Sequence, residues 1–124
     1  MQAKQWALAP CPLLHCLMIR LNMVGQLQQQ GKLLQSRFVL SIHNAAYQQG
    51  LGWHDLPVLG LSPHEVPEQV QLSMLSIGVM NASQLNTVSQ GYREELLSEP
   101  AANGLSALYQ ARQGDFSGIL NGCD

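Results

Sequence analysis

Charge is scarce in this chain: Asp, Glu, Lys and Arg make up 11% of its 124 residues, against roughly a quarter in an ordinary soluble domain. The deficit points to surface that a further segment or domain covers. The six basic residues, Lys4, Arg20, Lys32, Arg37, Arg93 and Arg112, are scattered. They form no stripe able to neutralise successive phosphates, which argues against nucleic acid as a partner. A long apolar run is also lacking. The longest stretch, Leu13 to Val24, is broken by His15, Cys16, Arg20 and Asn22, short of the roughly 20 apolar residues a membrane span needs, so no membrane partner is expected. Pro10 and Pro12 interrupt the first apolar residues, and no cleavage pattern of a secretory leader follows. Cysteines number three, Cys11, Cys16 and Cys123. An odd, sparse set reads as reduced thiols of a cytoplasmic protein rather than as a disulfide framework. Cys11, His15 and Cys16 cluster without a second ligand pair, so no metal site is expected. There is no internal repeat, and no low-complexity tract beyond Gln28 to Gln30.

What is present is apolar: 46% of the residues are hydrophobic, too many for a disordered tail and enough for one modest domain. Leu13, Leu14, Leu17, Met18, Leu21 and Val24 recur at spacings of three and four, which predicts a helix over about 12–30 with a turn near Gly31. Phe38 to Ile42 is dense in strand formers and reads as a central parallel strand. It delivers His43 and Asn44 at its carboxyl end, where open α/β sheets place ligands. From Ala45 to Pro67 three glycines and three prolines predict a long loop, of a length that is functional or packed against something else.

Glu68 to Met80 carries helical periodicity. Leu85 to Val88 reads as a second strand, and Ser89 is placed to cap a helix that stops before Pro100. A short helix follows Asn103-Gly104, and Phe116 to Leu120 forms a third strand, ending in Asn121 and Gly122. Strands joined by crossovers of this length imply a parallel sheet. The fold class is therefore α/β, a partial Rossmann-like domain.

The run Ser41-Ile42-His43-Asn44-Ala45-Ala46-Tyr47-Gln48-Gln49-Gly50 resembles the strand-end signature of bacterial glycogen synthases and plant starch synthases. Asp55-Leu56-Pro57, Leu59-Gly60-Leu61, Thr87-Val88-Ser89 and Ser117-Gly118-Ile119-Leu120-Asn121-Gly122 follow in that family's order. The resemblance covers residues 38–124. It implies the acceptor-side part of a two-domain transferase of GT-B type, with residues 1–37 a poorly matched lead-in and helix. The implied reaction moves glucose from ADP-glucose, the donor substrate, to an α-1,4-glucan with retention of configuration; no cofactor is implied.

Carried over from the family, His43 and Asn121 contact the transferred sugar, and Asn44 lines the same cleft or satisfies loop amides. No residue matches a covalent nucleophile. The family's glycine-rich loop with its lysine has no counterpart, and neither do the carboxylate-rich motif and phosphate clamp of the second domain. Gln90 replaces a usual proline and Cys123 a usual aliphatic residue. These departures imply a chain inactive alone, with the missing carboxyl-terminal transferase domain as a partner; the alternative is a glucan-binding or partner-dependent remnant without catalysis. Blander readings stand beside these. Asn121-Gly122 makes an ordinary turn, Tyr47 and Trp53 anchor the long loop rather than stack on sugar, and His54, His64, Glu94, Glu95 and Glu99 are solvated.

Overall fold

The computed structural model describes residues 26–48, 50–68 and 70–122. Most of the helix expected over 12–30 lies outside that set; residues 26–29 are helical, and Gly31 turns the chain with a φ of 78°.

Three short strands, β1 (Val39–Ile42), β2 (Gln84–Thr87) and β3 (Phe116–Gly118), form a parallel sheet in the order β1-β2-β3. The crossovers contain α1 (Met74–Asn81), α2 (Gln90–Leu96) and α3 (Ser106–Ala111). Among the described residues β2 lies between β1 and β3. The strands also end sooner than expected: β3 stops at Gly118, leaving Ile119 and Leu120 exposed.

Register explains which side chains make the core. Leu40 pairs with Leu85, and Leu85 with Phe116, so one row of large apolar side chains crosses the sheet on one face. Ile42 stands in the next row with Thr87 and Gly118. Leu40, Ile42, Leu85 and Phe116 join Met74, Leu75 and Val79 of α1, Leu96 of α2, and Leu105, Leu108 and Tyr109 at α3 in a single buried cluster. Helices therefore cover that face. The alternate residues, Val39, Ser41, Gln84, Asn86 and Ser117, point the other way, and Val39 is 55% exposed.

The helix expected from Glu68 starts instead at Met74. Leu72 is occupied in backbone pairing, its carbonyl accepting the Leu51 N–H at 3.1 Å, and Ser73 bridges Gly50. Ser73 then caps the helix. Its hydroxyl accepts the Ser76 N–H at 3.0 Å, and the Ser76 hydroxyl accepts the Ser73 N–H at 2.9 Å, a reciprocal cap that fixes the first turn.

The long loop is packed. Trp53–Leu59 and Pro63–Glu65 are 3-10 helices, and Leu56, Val66 and Leu72 cluster on Ile77 of α1. The Asp55 carboxylate accepts the Gly52 N–H, and that of Glu65 accepts the Ser62 N–H and hydroxyl. Those two bonds hold Glu65 below the usual carboxylate range, the Ser62 N–H contributing most. Gly60 ends the first 3-10 helix at a φ of 68°, a conformation that favours glycine. Leu56 and Val66 anchor the loop, whereas Tyr47 and Trp53, expected to do so, are each 55% exposed.

Candidate functional site

At its carboxyl end, the sheet assembles its backbone through side chains 45 residues away. The Thr87 hydroxyl, buried at the end of β2, donates to the Ile42 carbonyl at 2.6 Å. That bond fixes the last peptide of β1 before the chain turns. His43 follows, with its side chain exposed. The Asn44 Oδ1 accepts the Ala46 N–H at 2.9 Å, an Asx turn that reverses the chain. Ala45 is fully buried, and its N–H donates to the Tyr92 hydroxyl at 3.0 Å.

Helix α2 connects this turn to the other strand ends. Ser89 caps it as expected, its hydroxyl accepting the Tyr92 N–H at 3.0 Å. Gly118 lies against the same turn. A Cβ there would come within 2.3 Å of the Ser89 carbonyl oxygen and 2.4 Å of the Gln90 Cα, so any larger residue drives backbone against backbone. Beyond Gly118, the N–H of Ile119 donates to the Thr87 carbonyl at 2.8 Å and that of Asn121 to the Val88 carbonyl at 3.2 Å. Asn121 is exposed, tied by its backbone beside the start of α2.

His43, Asn44 and Asn121 thus share the carboxyl edge of one sheet. His43 and Asn44 directly follow β1 and Asn121 lies three residues past β3, with β2 between the two strands. An exposed imidazole and an exposed amide along that edge offer directional donors and acceptors suited to ring hydroxyls. Asn44 satisfies the Ala46 amide, the alternative to lining a cleft that its position left open.

Four residues brace this assembly in roles that the motifs, though they contain Gln48, Thr87 and Gly118, do not reveal. Thr87, Tyr92 and Gly118 act through contacts distant in sequence, and Gln48 ties the loop down by donating from Nε2 to the Asn103 carbonyl at 2.8 Å. Only the helix-cap position of Ser89, three residues before Tyr92, hinted at the importance of this turn.

Two arginines are committed to the backbone. Arg93 donates from Nε to the Phe116 carbonyl at 2.7 Å, and its guanidinium lies 5.8 Å from the Phe116 ring centroid. Arg112 reaches the carbonyls of Val79 at 2.6 Å and Ala82 at 2.7 Å. Arg93 thereby holds α2 to β3, and Arg112 holds the end of α3 to the end of α1; neither is committed to the strand-end site. Among the described residues no group of three His, Cys, Asp or Glu side chains is placed to hold a metal ion, and no helix is long and apolar enough to cross a membrane. Cys11, His15 and Cys16 lie outside those residues.

The family described as the starch synthase catalytic domain matches residues 15–111. That match begins upstream of Phe38, where the ordered motifs start, and ends before Asn121. The chain is similar to the glycogen synthase of Aliivibrio salmonicida (strain LFI1238), with 42% identity over 95 residues, covering 73% of this chain and 20% of that protein. It is also similar to the glycogen synthase of Vibrio atlanticus (strain LGP32), with 39% identity over 102 residues, covering 78% and 21%. The chain spans about a fifth of the length of these curated relatives. Its fold matches the catalytic domain of Starch Synthase IV from Arabidopsis thaliana bound to ADP and acarbose with a TM-score of 0.69 at 23% identity, over 83% of this chain and 24% of that one.

Proposed function

The chain belongs to the starch synthase catalytic-domain family, and from that premise we propose that it is the acceptor-side piece of a glucosyltransferase. In the proposal the carboxyl edge of the sheet holds the end of an α-1,4-glucan, where His43 and Asn121 contact the glucosyl unit being transferred to it, and Asn44 shapes the turn that presents His43. The complete enzyme transfers glucose from ADP-glucose. This chain alone does not, because transfer requires a closed cleft with groups that stabilise the leaving nucleotide diphosphate.

The observation that carries the reading is the bracing of one strand-end edge by Thr87, Tyr92 and Gly118, with the His43 and Asn121 side chains left exposed on it. Supporting it, the Arg93 and Arg112 guanidinia are engaged by backbone carbonyls, so neither is available as a clamp for donor phosphates. The test is incorporation of labelled glucose from ADP-glucose into glycogen by the purified chain, with His43→Ala as control. Incorporation that the control abolishes would overturn the claim that the chain is inactive alone.

A second reading is a remnant completed by a separate chain that supplies the donor half. The sheet face of Val39, Ser41, Gln84 and Ser117, exposed among the described residues, favours it, because parallel sheets ordinarily have both faces covered. Restoration of glucose incorporation on mixing with a separately made donor-side domain supports this reading; a mixture that stays inactive and elutes as two separate species rejects it.

A further inference from the structure

We infer that Tyr92 is a positioning residue for the glucan-contacting turn, its hydroxyl holding the peptide of Ala45 so that His43 is presented at the sheet edge; the inference rests on the glucan reading above. The backbone around His43 is assigned almost peptide by peptide. The Ile42 carbonyl accepts from Thr87, the Ala46 N–H donates to Asn44, and the Ala45 N–H donates to Tyr92. The first of these anchors the turn to β2 and the second is internal to it. Only the third ties the far side of the turn to another element through a side-chain polar atom. Without it, the path between Ile42 and the buried Ala45 side chain keeps, among the described residues, only bonds internal to the turn: the Asx bond and the Tyr47 N–H to the Asn44 carbonyl at 3.4 Å.

Tyr92 is suited to this work because its own placement is fixed. Its N–H is bound by the Ser89 hydroxyl at 3.0 Å, and the peptide between Ser89 and Gln90 is in close contact with Gly118. Its ring packs against the main core. That apolar packing could be supplied equally by phenylalanine, so the hydroxyl is the part of the residue that packing does not require. Because Gly118 leads directly to Asn121, one helix turn thereby sets both strand ends that present the proposed sugar contacts.

The test compares wild type, Tyr92→Phe, His43→Ala and the double variant of the full chain. Amide hydrogen exchange is followed by NMR, and maltoheptaose affinity by calorimetry. In Tyr92→Phe the Ala45 amide is expected to exchange at least several-fold faster, with the amides of β2 unchanged. Maltoheptaose affinity should fall about three- to tenfold, the effect of one hydrogen bond, and the double variant should bind no more weakly than His43→Ala. Unchanged exchange at Ala45 overturns the inference, as does acceleration spread evenly through β2, which marks a general structural role. The same fold loss in the His43→Ala background overturns it too, because the hydroxyl then acts independently of His43. If wild type binds no maltoheptaose, the glucan reading fails, and exchange at Ala45 still decides whether Tyr92 holds the turn.

Discussion

The hydroxyl of Thr87 donates to the carbonyl of Ile42 across 2.6 Å, joining the ends of two adjacent parallel strands just before the chain turns at His43. Both residues are nearly solvent-free, so valine, which keeps the shape and loses the donor, leaves a buried carbonyl short of a partner. Thr87→Val is expected to cost about 1–3 kcal/mol in urea unfolding, and Thr87→Ser, which keeps the hydroxyl, to recover most of the loss. A valine variant as stable as wild type removes this bond from the account of the edge.

Gly118 requires the absence of a side chain for a reason of space. An alanine Cβ would meet the Ser89 carbonyl and the Gln90 Cα at distances only backbone movement can relieve. Gly118→Ala is expected to destabilise by about 1–3 kcal/mol and to shift the NMR signals of both Ser89 and Asn121. An unperturbed Asn121 signal argues against the coupling of β3 to α2.

The reciprocal cap at Ser73 makes the start of α1 directly testable. Ser73→Ala is expected to lose about 0.5–2 kcal/mol, measured as a lower urea midpoint at unchanged slope. Ser76→Ala should lose at least as much, since it removes two bonds, the one from the Ser73 N–H and its own to the Ser73 carbonyl, where Ser73→Ala removes one.

This helix shows where the sequence was legible and where it was not. Val70 and Leu72 fit the periodicity of the residues after them, yet Leu72 pairs with Leu51 instead, a contact that local pattern does not contain. Ser89, by contrast, was readable as a cap because strand, serine and helix follow one another directly in the chain. The parallel sheet followed from crossover lengths, and the positions of His43 and Asn121 from the strand ends. What braces those positions was not legible, because the Tyr92–Ala45 bond and the Gly118–Ser89 contact join residues 47 and 29 positions apart. The exposure of Tyr47 and Trp53 went against expectation because Leu56 and Val66 supply the anchoring instead.

Tyr109 gives the chain an alkaline limit. Its ring is buried against Phe116, with centroids 5.5 Å apart, and its hydroxyl has no hydrogen-bond partner among the described residues. Burial pushes its phenol well above the ordinary value, and the nearby Tyr92 and Glu99 push in the same direction. A raised pKa means the folded state keeps its proton where the unfolded chain has lost it. The stability tied to that proton is whole below about pH 10 and declines above it. Tyr109→Phe should remove that part of the alkaline decline and leave neutral-pH stability unchanged or higher. Urea titrations at pH 7 and above pH 10 check both parts, and a large loss at pH 7 contradicts the unpartnered hydroxyl.

Glu99 works in the opposite direction at low pH. Its carboxylate accepts the Gly104 N–H at 3.0 Å and the Ser106 N–H at 3.2 Å; the Gly104 N–H first, then the Ser106 hydroxyl and N–H, hold it below the ordinary carboxylate value. Its stabilisation is present above the unfolded-state value and is lost as pH falls through the lower folded one. Glu99→Gln should therefore be less stable than wild type at neutral pH, with the gap closing in acid. A gap that is constant with pH rejects the assignment.

The central claim is that the edge carrying His43 and Asn121 holds an α-1,4-glucan. The most direct measurement is a titration of isotope-labelled, folded chain with maltoheptaose, followed residue by residue by NMR. The account predicts saturable shifts concentrated at His43, Asn44, Ala45 and Asn121, strongly weakened in His43→Ala and absent with a β-1,4-linked glucan of the same length. Shifts confined to other surfaces, or no shifts at all in a sample that unfolds cooperatively, contradict it.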